Sequence, residues 1–179
     1  MVIGKFNNKS EYMRGLFSGG SDRLGNQART ILKTHLSQTG RFTLLDRDNM
    51  DEIAAEAALS GAEQNLTGAE VAVAGAVTEF GRRETGDIQL FGILGRGKKQ
   101  LAYAKVSLNI VDVRTSQVVY SVQGAGEYDL SNREVVGFGG TAGYDSTLNG
   151  KVLNLAITDA VNKLVAAIEA GEWSPVKEP

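Results

Sequence analysis

Apolar residues recur along this chain at two periods, and the switch between them outlines its elements. Residues 1–6, Met-Val-Ile-Gly-Lys-Phe, predict a short strand, and a polar, glycine-containing loop follows over 7–21. Leu24, Ala28, Ile31, Leu32, His35 and Leu36 then fall on one helical stripe. Ser21 or Asp22 can cap that helix, and Gly40 stands where a left-handed cap closes it. Residues 42–46, Phe-Thr-Leu-Leu-Asp, predict a second strand. Asp48 is then placed to cap a helix in which Met50, Ile53, Ala54, Ala57 and Ala58 face inward, ended by Gly61. Residues 71–80 are rich in Val and Ala with little polar alternation, which predicts a strand buried on both faces. Two further strands, 101–113 and 117–130, are joined by Arg114-Thr115-Ser116. In the second, Val118, Tyr120, Val122, Gly124, Gly126, Tyr128 and Leu130 point to one face. A long helix over 148–170 places Val152, Leu155, Ala156, Asp159, Ala160, Leu164 and Ile168 near one side. Gly171 ends it, and Trp173 is free to pack back.

The order β-α-β-α-β-β-β-α predicts the α/β (α+β) class. A mixed sheet with helices packed on it forms a single domain over 1–173, with a short tail over 174–179. The chain has 179 residues, enough to bury roughly two-thirds of its unfolded surface. Its 19 Lys and Arg against 21 Asp and Glu give a net charge of -2, so nothing marks a nucleic-acid partner or an anionic membrane surface. With no Cys, thiol catalysis, Cys-ligated zinc and iron–sulfur clusters are excluded, and one His leaves no multi-His metal site. No cofactor is expected. Residues 1–6 show no secretory leader, which suits either a cytoplasmic protein or a chain trimmed of its leader. Both Pro lie in the last five residues, so the 22 Gly, about one residue in eight where ~7% is usual, do not belong to Pro-rich linkers.

The glycines gather before the first helix and in two segments, 81–97 and 124–150. Each of these two segments reads as a β-hairpin arm on the sheet, about 82–105 and 123–144. Ile88, Leu90, Phe91, Leu101, Tyr103, Tyr128, Leu130, Phe138 and Tyr144 are their candidate membrane or interface residues. Two uses are open: edge hairpins in water, which short apolar faces and few aromatics favour, or arms that several protomers close into a shared barrel. No catalytic constellation is found. Residues 92–97 and 15–20 lack the Gly-Lys-Ser/Thr ending of a phosphate loop. Asp48 and Asp51 read as cap and first-turn charges, and His35 as a packed, hydrogen-bonded core residue.

Three phrases in order carry more than composition can. They are Gly40-Arg41-Phe42-Thr43-Leu44-Leu45-Asp46-Arg47, Gly68-Ala69-Glu70-Val71-Ala72-Val73-Ala74-Gly75-Ala76-Val77, and Leu108-Asn109-Ile110-Val111-Asp112-Val113-Arg114-Thr115-Ser116-Gln117-Val118-Val119. With the final helix from Asn149-Gly150-Lys151-Val152 to Leu164-Val165, they resemble the CsgG family, outer-membrane lipoproteins of curli secretion and related surface assemblies. The resemblance implies a periplasmic domain, non-enzymatic, assembled as a homo-oligomeric ring, with two hairpins per protomer feeding a barrel. It places a pore constriction in the loop over 7–21, with Tyr12, Met13, Leu16 and Phe17 as candidate lining residues. It implies a lipid anchor on the outer membrane, supplied by residues this chain lacks, and a secreted or surface-attached polypeptide as partner. Related folds serve soluble periplasmic lipoproteins that activate peptidoglycan synthases, so a periplasmic partner protein without any pore is the alternative. A cytoplasmic small-molecule-binding domain is a third.

Overall fold

The computed structural model describes residues 1–12, 22–86, 98–129 and 141–174. A four-stranded mixed sheet is built from β1 (Val2–Asn8), β2 (Val71–Gly86), β3 (Lys98–Asp112) and β4 (Val118–Asp129), in that spatial order. β1 runs parallel to β2, and the other two pairs are antiparallel. Helices α1 (Arg23–Gln38) and α3 (Thr141–Glu169) touch each other and cover one face of the sheet, while α2 (Met50–Ser60) touches no other element. The class expected from the sequence is the class observed.

α1 follows its sequence closely. Asp22 Oδ1 accepts from the Gly25 amide at 2.8 Å, the stripe Leu24, Ala28, Leu32 and Leu36 is buried, and Gly40 turns the chain at φ +63°. The strand expected over 42–46 does not form. Only Leu45 bridges Val2, and beyond it the Asp46 carboxylate takes the Asp48 amide (3.0 Å) and the Asn49 side chain (2.8 Å). That local turn pulls the backbone off the sheet before a ladder can grow. The observed order is therefore β-α-α-β-β-β-α.

β2 is buried on one face only, because no described element covers the other. Val71, Val73 and Val77 point into the core and Ala72, Ala74 and Ala76 out of it. A bulge between Val77 and Glu79 then shifts the phase so that Phe80 is buried too. β3 supplies Ala102, Ala104, Val106, Leu108 and Ile110 to the same face. α3 begins at Thr141, earlier than the periodicity suggests, and its buried stripe is Val152, Leu153, Ala156, Ile157, Ala160, Val161, Leu164 and Ala167. Leu155, expected inward, is 42% exposed. The stripe is rotated because α3 lies in the angle between β4 and α1, and its closest approach to the sheet falls on Ala156 and Ala160.

β4 is an outer strand, and side chains of α3 occupy part of its free edge. Asp159 Oδ2 accepts from the Ala125 amide at 2.9 Å, Lys163 Nζ donates to the Gln123 carbonyl at 3.1 Å, and the two side chains pair at 2.7 Å. Burial pushes the Asp159 carboxyl up, but the Lys163 ammonium and the Ala125 amide outweigh it and hold it below the usual carboxylate range. An edge amide and carbonyl satisfied this way cannot pair with a foreign strand. The double variant D159A/K163A is expected to associate on gentle heating, seen as light scattering at temperatures where the parent stays clear. Unchanged scattering would show that the pair does not guard this edge.

Candidate functional site

No group of three His, Cys, Asp or Glu among the described residues is arranged to hold a metal ion. His35 is half-buried, with Nε2 2.8 Å from Asn154 Oδ1 and 3.2 Å from Thr158 Oγ1, so it ties α1 to α3. Asp46 and Asp48 are held by Lys33 (2.9 Å) and Arg29 (2.7 Å), whose guanidinium also donates to the Ile3 and Gly4 carbonyls of β1. Asp48 therefore does not cap α2: Asn49 occupies that position, without a side-chain bond to the helix.

Lys33, then Asn49 and the Asp48 amide, lower the Asp46 carboxyl to about 2. A carboxylate depressed in the folded state stabilises the fold fully above its unfolded value of about 3.9 and loses that contribution as pH falls towards 2. Denaturant midpoints measured from pH 5 to 2 should therefore fall less steeply for D46N than for the parent. Parallel curves would rule this linkage out.

The surfaces offer more. The uncovered face of the sheet carries Ala72, Ala74 and Ala76 beside Ser107 and Asn109. Towards the far end come the cross-strand pairs Glu79–Lys105 (2.9 Å) and Arg83–Glu127, with Arg83 5.7 Å from the Tyr103 ring centre. At the opposite end of the strands stands α2. The sequence pattern turns Met50, Ile53, Ala54, Ala57 and Ala58 inward, but the structure buries no residue of this helix. Ile53 is 42% exposed, Leu59 82%, and Leu66 in the following loop 55%. Periodicity shows that a helix has an apolar side and cannot show what lies against it.

The candidate pore and hairpin residues are placed as follows. Tyr12 packs its ring on Phe80, 4.8 Å between centres, and its carbonyl accepts from the Asn8 side chain. Met13, Leu16 and Phe17 lie outside the described residues. So do Ile88, Leu90, Phe91, Leu130 and Phe138. The first arm is continuous with the sheet, β2 and β3 pairing in register out to Gly86 and Lys98. Leu101 and Tyr103 stand half-buried on β3, and Tyr128 half-buried on β4 with Lys151 5.1 Å from its ring centre. In the second arm, residues 123–129 belong to β4, and Tyr144 lies in α3 rather than on a returning strand. Gly124 and Gly126, counted above with the loop glycines, meet the backbone of α3.

The family model for the curli production assembly/transport component CsgG matches residues 1–177. The chain belongs to the CsgG family. Within the family it is 63% identical over 173 residues to the protein named "Putative lipoprotein NMB1126/NMB1164" of Neisseria meningitidis serogroup B, covering 97% of this chain and 78% of that protein. Among solved structures, CT253 of Chlamydia trachomatis superposes at a TM-score of 0.50 with 14% identity, over 96% of this chain and 95% of that one. A dodecameric PelC of Paraburkholderia phytofirmans gives a TM-score of 0.47 with 16% identity, over 91% and 86%.

Proposed function

We propose that this CsgG-family chain is a non-enzymatic envelope component that works as a homo-oligomer. It would sit on the periplasmic face of the outer membrane through a lipid anchor and serve the secretion or attachment of a surface polypeptide. The observation that carries this is α2. It has 11 residues, fewer than the ~12–15 at which an isolated helix holds in water, and no packing partner among the described elements. Its first turn is acidic and its C-terminus is closed. Arg47 donates to the Thr67 carbonyl, Asp51 and Glu52 sit in the first turn, and Gly61 closes the helix at φ +67°. A helix so defined, with Ile53 and Leu59 in solvent, is shaped to be covered by another polypeptide.

In this proposal the hairpin residues Leu101, Tyr103 and Tyr128 extend the sheet towards the membrane, and the loop carrying Tyr12, Met13, Leu16 and Phe17 lines the ring axis. None of the described helices is long and apolar enough to cross a membrane. The test is extraction of the lipidated protein in detergent, with mass by light scattering and conductance in liposomes. Multi-subunit particles that conduct are expected. A strictly monomeric lipoprotein without conductance would overturn the proposal.

One observation favours a second use, an adaptor for a periplasmic partner protein. The open face of the sheet, small at Ala72, Ala74 and Ala76 and polar at Ser107 and Asn109, is flat enough to receive one. Assembled particles without conductance would favour it.

A further inference from the structure

The exposed apolar residues of the described chain fall mainly into two groups. One is Ile53, Leu59 and Leu66 on α2 and its following loop. The other is Val113 (49% exposed), Val118 (57%) and Val119 (41%) around the turn between β3 and β4. The two groups also differ in charge. α2 carries Asp51, Glu52 and Glu56, and none of these makes an ion pair among the described residues. The β3–β4 turn carries Arg114, exposed and likewise without a side-chain ion pair among them.

That turn is built rigidly. Asp112 Oδ1 accepts from the Arg114 and Thr115 amides, both at 2.9 Å, and Ser116 sits at φ 59° with its amide on the Asp112 carbonyl. The Asp112 amide donates to the Gln117 carbonyl, and the Val113 amide reaches back to the Glu70 carbonyl. A surface held by three backbone bonds and two more from amides to the Asp112 carboxylate loses little conformational freedom when something docks on it.

The sheet fixes where the two groups stand. Val2 pairs with Ala72, Val71 with Asp112, and Val111 with Val118, so one end of the sheet holds both. Leu45 bridges Val2 on the outer side of β1, and α2 follows five residues later. The β3–β4 turn lies on the opposite flank of that same end. An apolar, acidic group on one flank and an apolar, basic group on the other are complementary between copies but not within one.

We propose that α2 of one copy docks on the β3–β4 turn of the next, with Ile53 and Leu59 against Val113 and Val118, and Glu52 and Glu56 facing Arg114. Such a contact is head-to-tail: each copy gives one surface and receives on the other, so it propagates until the rotation closes a ring. Because both surfaces lie at the same end of the sheet, every copy keeps that end on one side of the ring. This inference rests on the oligomer proposed above and adds the surfaces that make it.

The chain has no Cys, so engineered pairs report without background. Four double variants join Ile53→Cys or Leu59→Cys with Val113→Cys or Val118→Cys, each oxidised in the detergent-extracted, assembled protein. At least one should give a ladder of dimers, trimers and higher species on non-reducing gels, and each single variant should stay monomeric on those gels. Mixing an α2 single variant with a turn single variant should give dimers only. Arg114→Glu should abolish the ladder and shift the particle mass downwards, and adding E52R/E56R should restore both. Multi-subunit particles with no ladder from any pair would overturn this contact while leaving the oligomer intact. Dimers from Leu59→Cys alone would also overturn it, by revealing a symmetric helix-to-helix contact. Monomers throughout would overturn the oligomer itself.

Discussion

Trp173→Ala should cost about 3–5 kcal/mol, the usual range for truncating a buried large aromatic. The indole lies between Phe42 and Tyr120, stacked on both, with ring centres 6.4 and 5.9 Å away and interplanar angles of 12° and 16°. Gly171 at φ +73° folds the chain back after α3, and Tyr120 fastens the turn by donating to Glu172 at 2.9 Å. The side chain therefore joins β4, the segment after α1 and the end of α3. At about 2–4 °C per kcal/mol for a chain of this size, the melting temperature should fall by roughly 6–20 °C. Circular dichroism is the measurement, since this is the only Trp and its fluorescence goes with it. Among the described residues the buried indole N–H has no hydrogen-bond partner. Trp173→Phe keeps the stacking and removes that orphaned donor, so it should lose much less stability. Equal losses for Ala and Phe would show that the stacking does not stabilise the fold.

Gly124→Ala should be nearly as damaging, although it adds one methyl group. A Cβ there would lie 2.1 Å from the Ala156 carbonyl oxygen and 2.5 Å from the Ala160 amide nitrogen, both backbone atoms of α3. No rotamer change relieves such a clash. Either the helix lifts from β4 or the strand bends, and overpacking of this kind costs about 1–3 kcal/mol, occasionally more. Gly126 meets the same helix one step along, with a Cβ 2.6 Å from the Ala156 amide nitrogen. Chemical denaturation should show a lowered midpoint for Gly124→Ala with an unchanged slope. Ala156→Gly in the same chain should not repair it, because the obstructing atom belongs to the backbone. Parental stability would mean that α3 stands further from β4 than described.

Much of this was legible along the chain. The stripe Leu24, Ala28, Leu32, Leu36 and the cap Asp22 are local facts of a helix, and the alternation from Val118 to Tyr128 is a local fact of a strand. The short-range signal failed where a distant partner decides. Residues 42–46 have the β propensity of a strand, but the Asp46 carboxylate turns the chain after one bridge to Val2. Residues 71–77 carry no polar side chain, yet only Val71, Val73 and Val77 of these, with Phe80 beyond the bulge, face the core. α2 shows an inward pattern with no described element inward of it.

The candidate site divides in the same way. The absence of Cys and the single His exclude whole chemistries from composition alone, and the ordered phrases ending in Val118-Val119 carry the resemblance to the CsgG family. The place of α2 at the β1 flank and of the β3–β4 turn at the other could not be read from order along the chain. Strand order is set by which edges pair once the sheet exists, not by any residue's own preference.

The sequence by itself determined the family and the helices and strands with local periodicity, while the need for small residues at 124 and 126 came from the approach of α3. Tertiary structure alone decided which apolar side chains are covered. Burial is a property of two surfaces meeting, and a periodic stripe describes only one of them. That is why Trp173, near the end of the chain, closes the core, while Ile53 and Leu59, equally apolar in pattern, remain outside it.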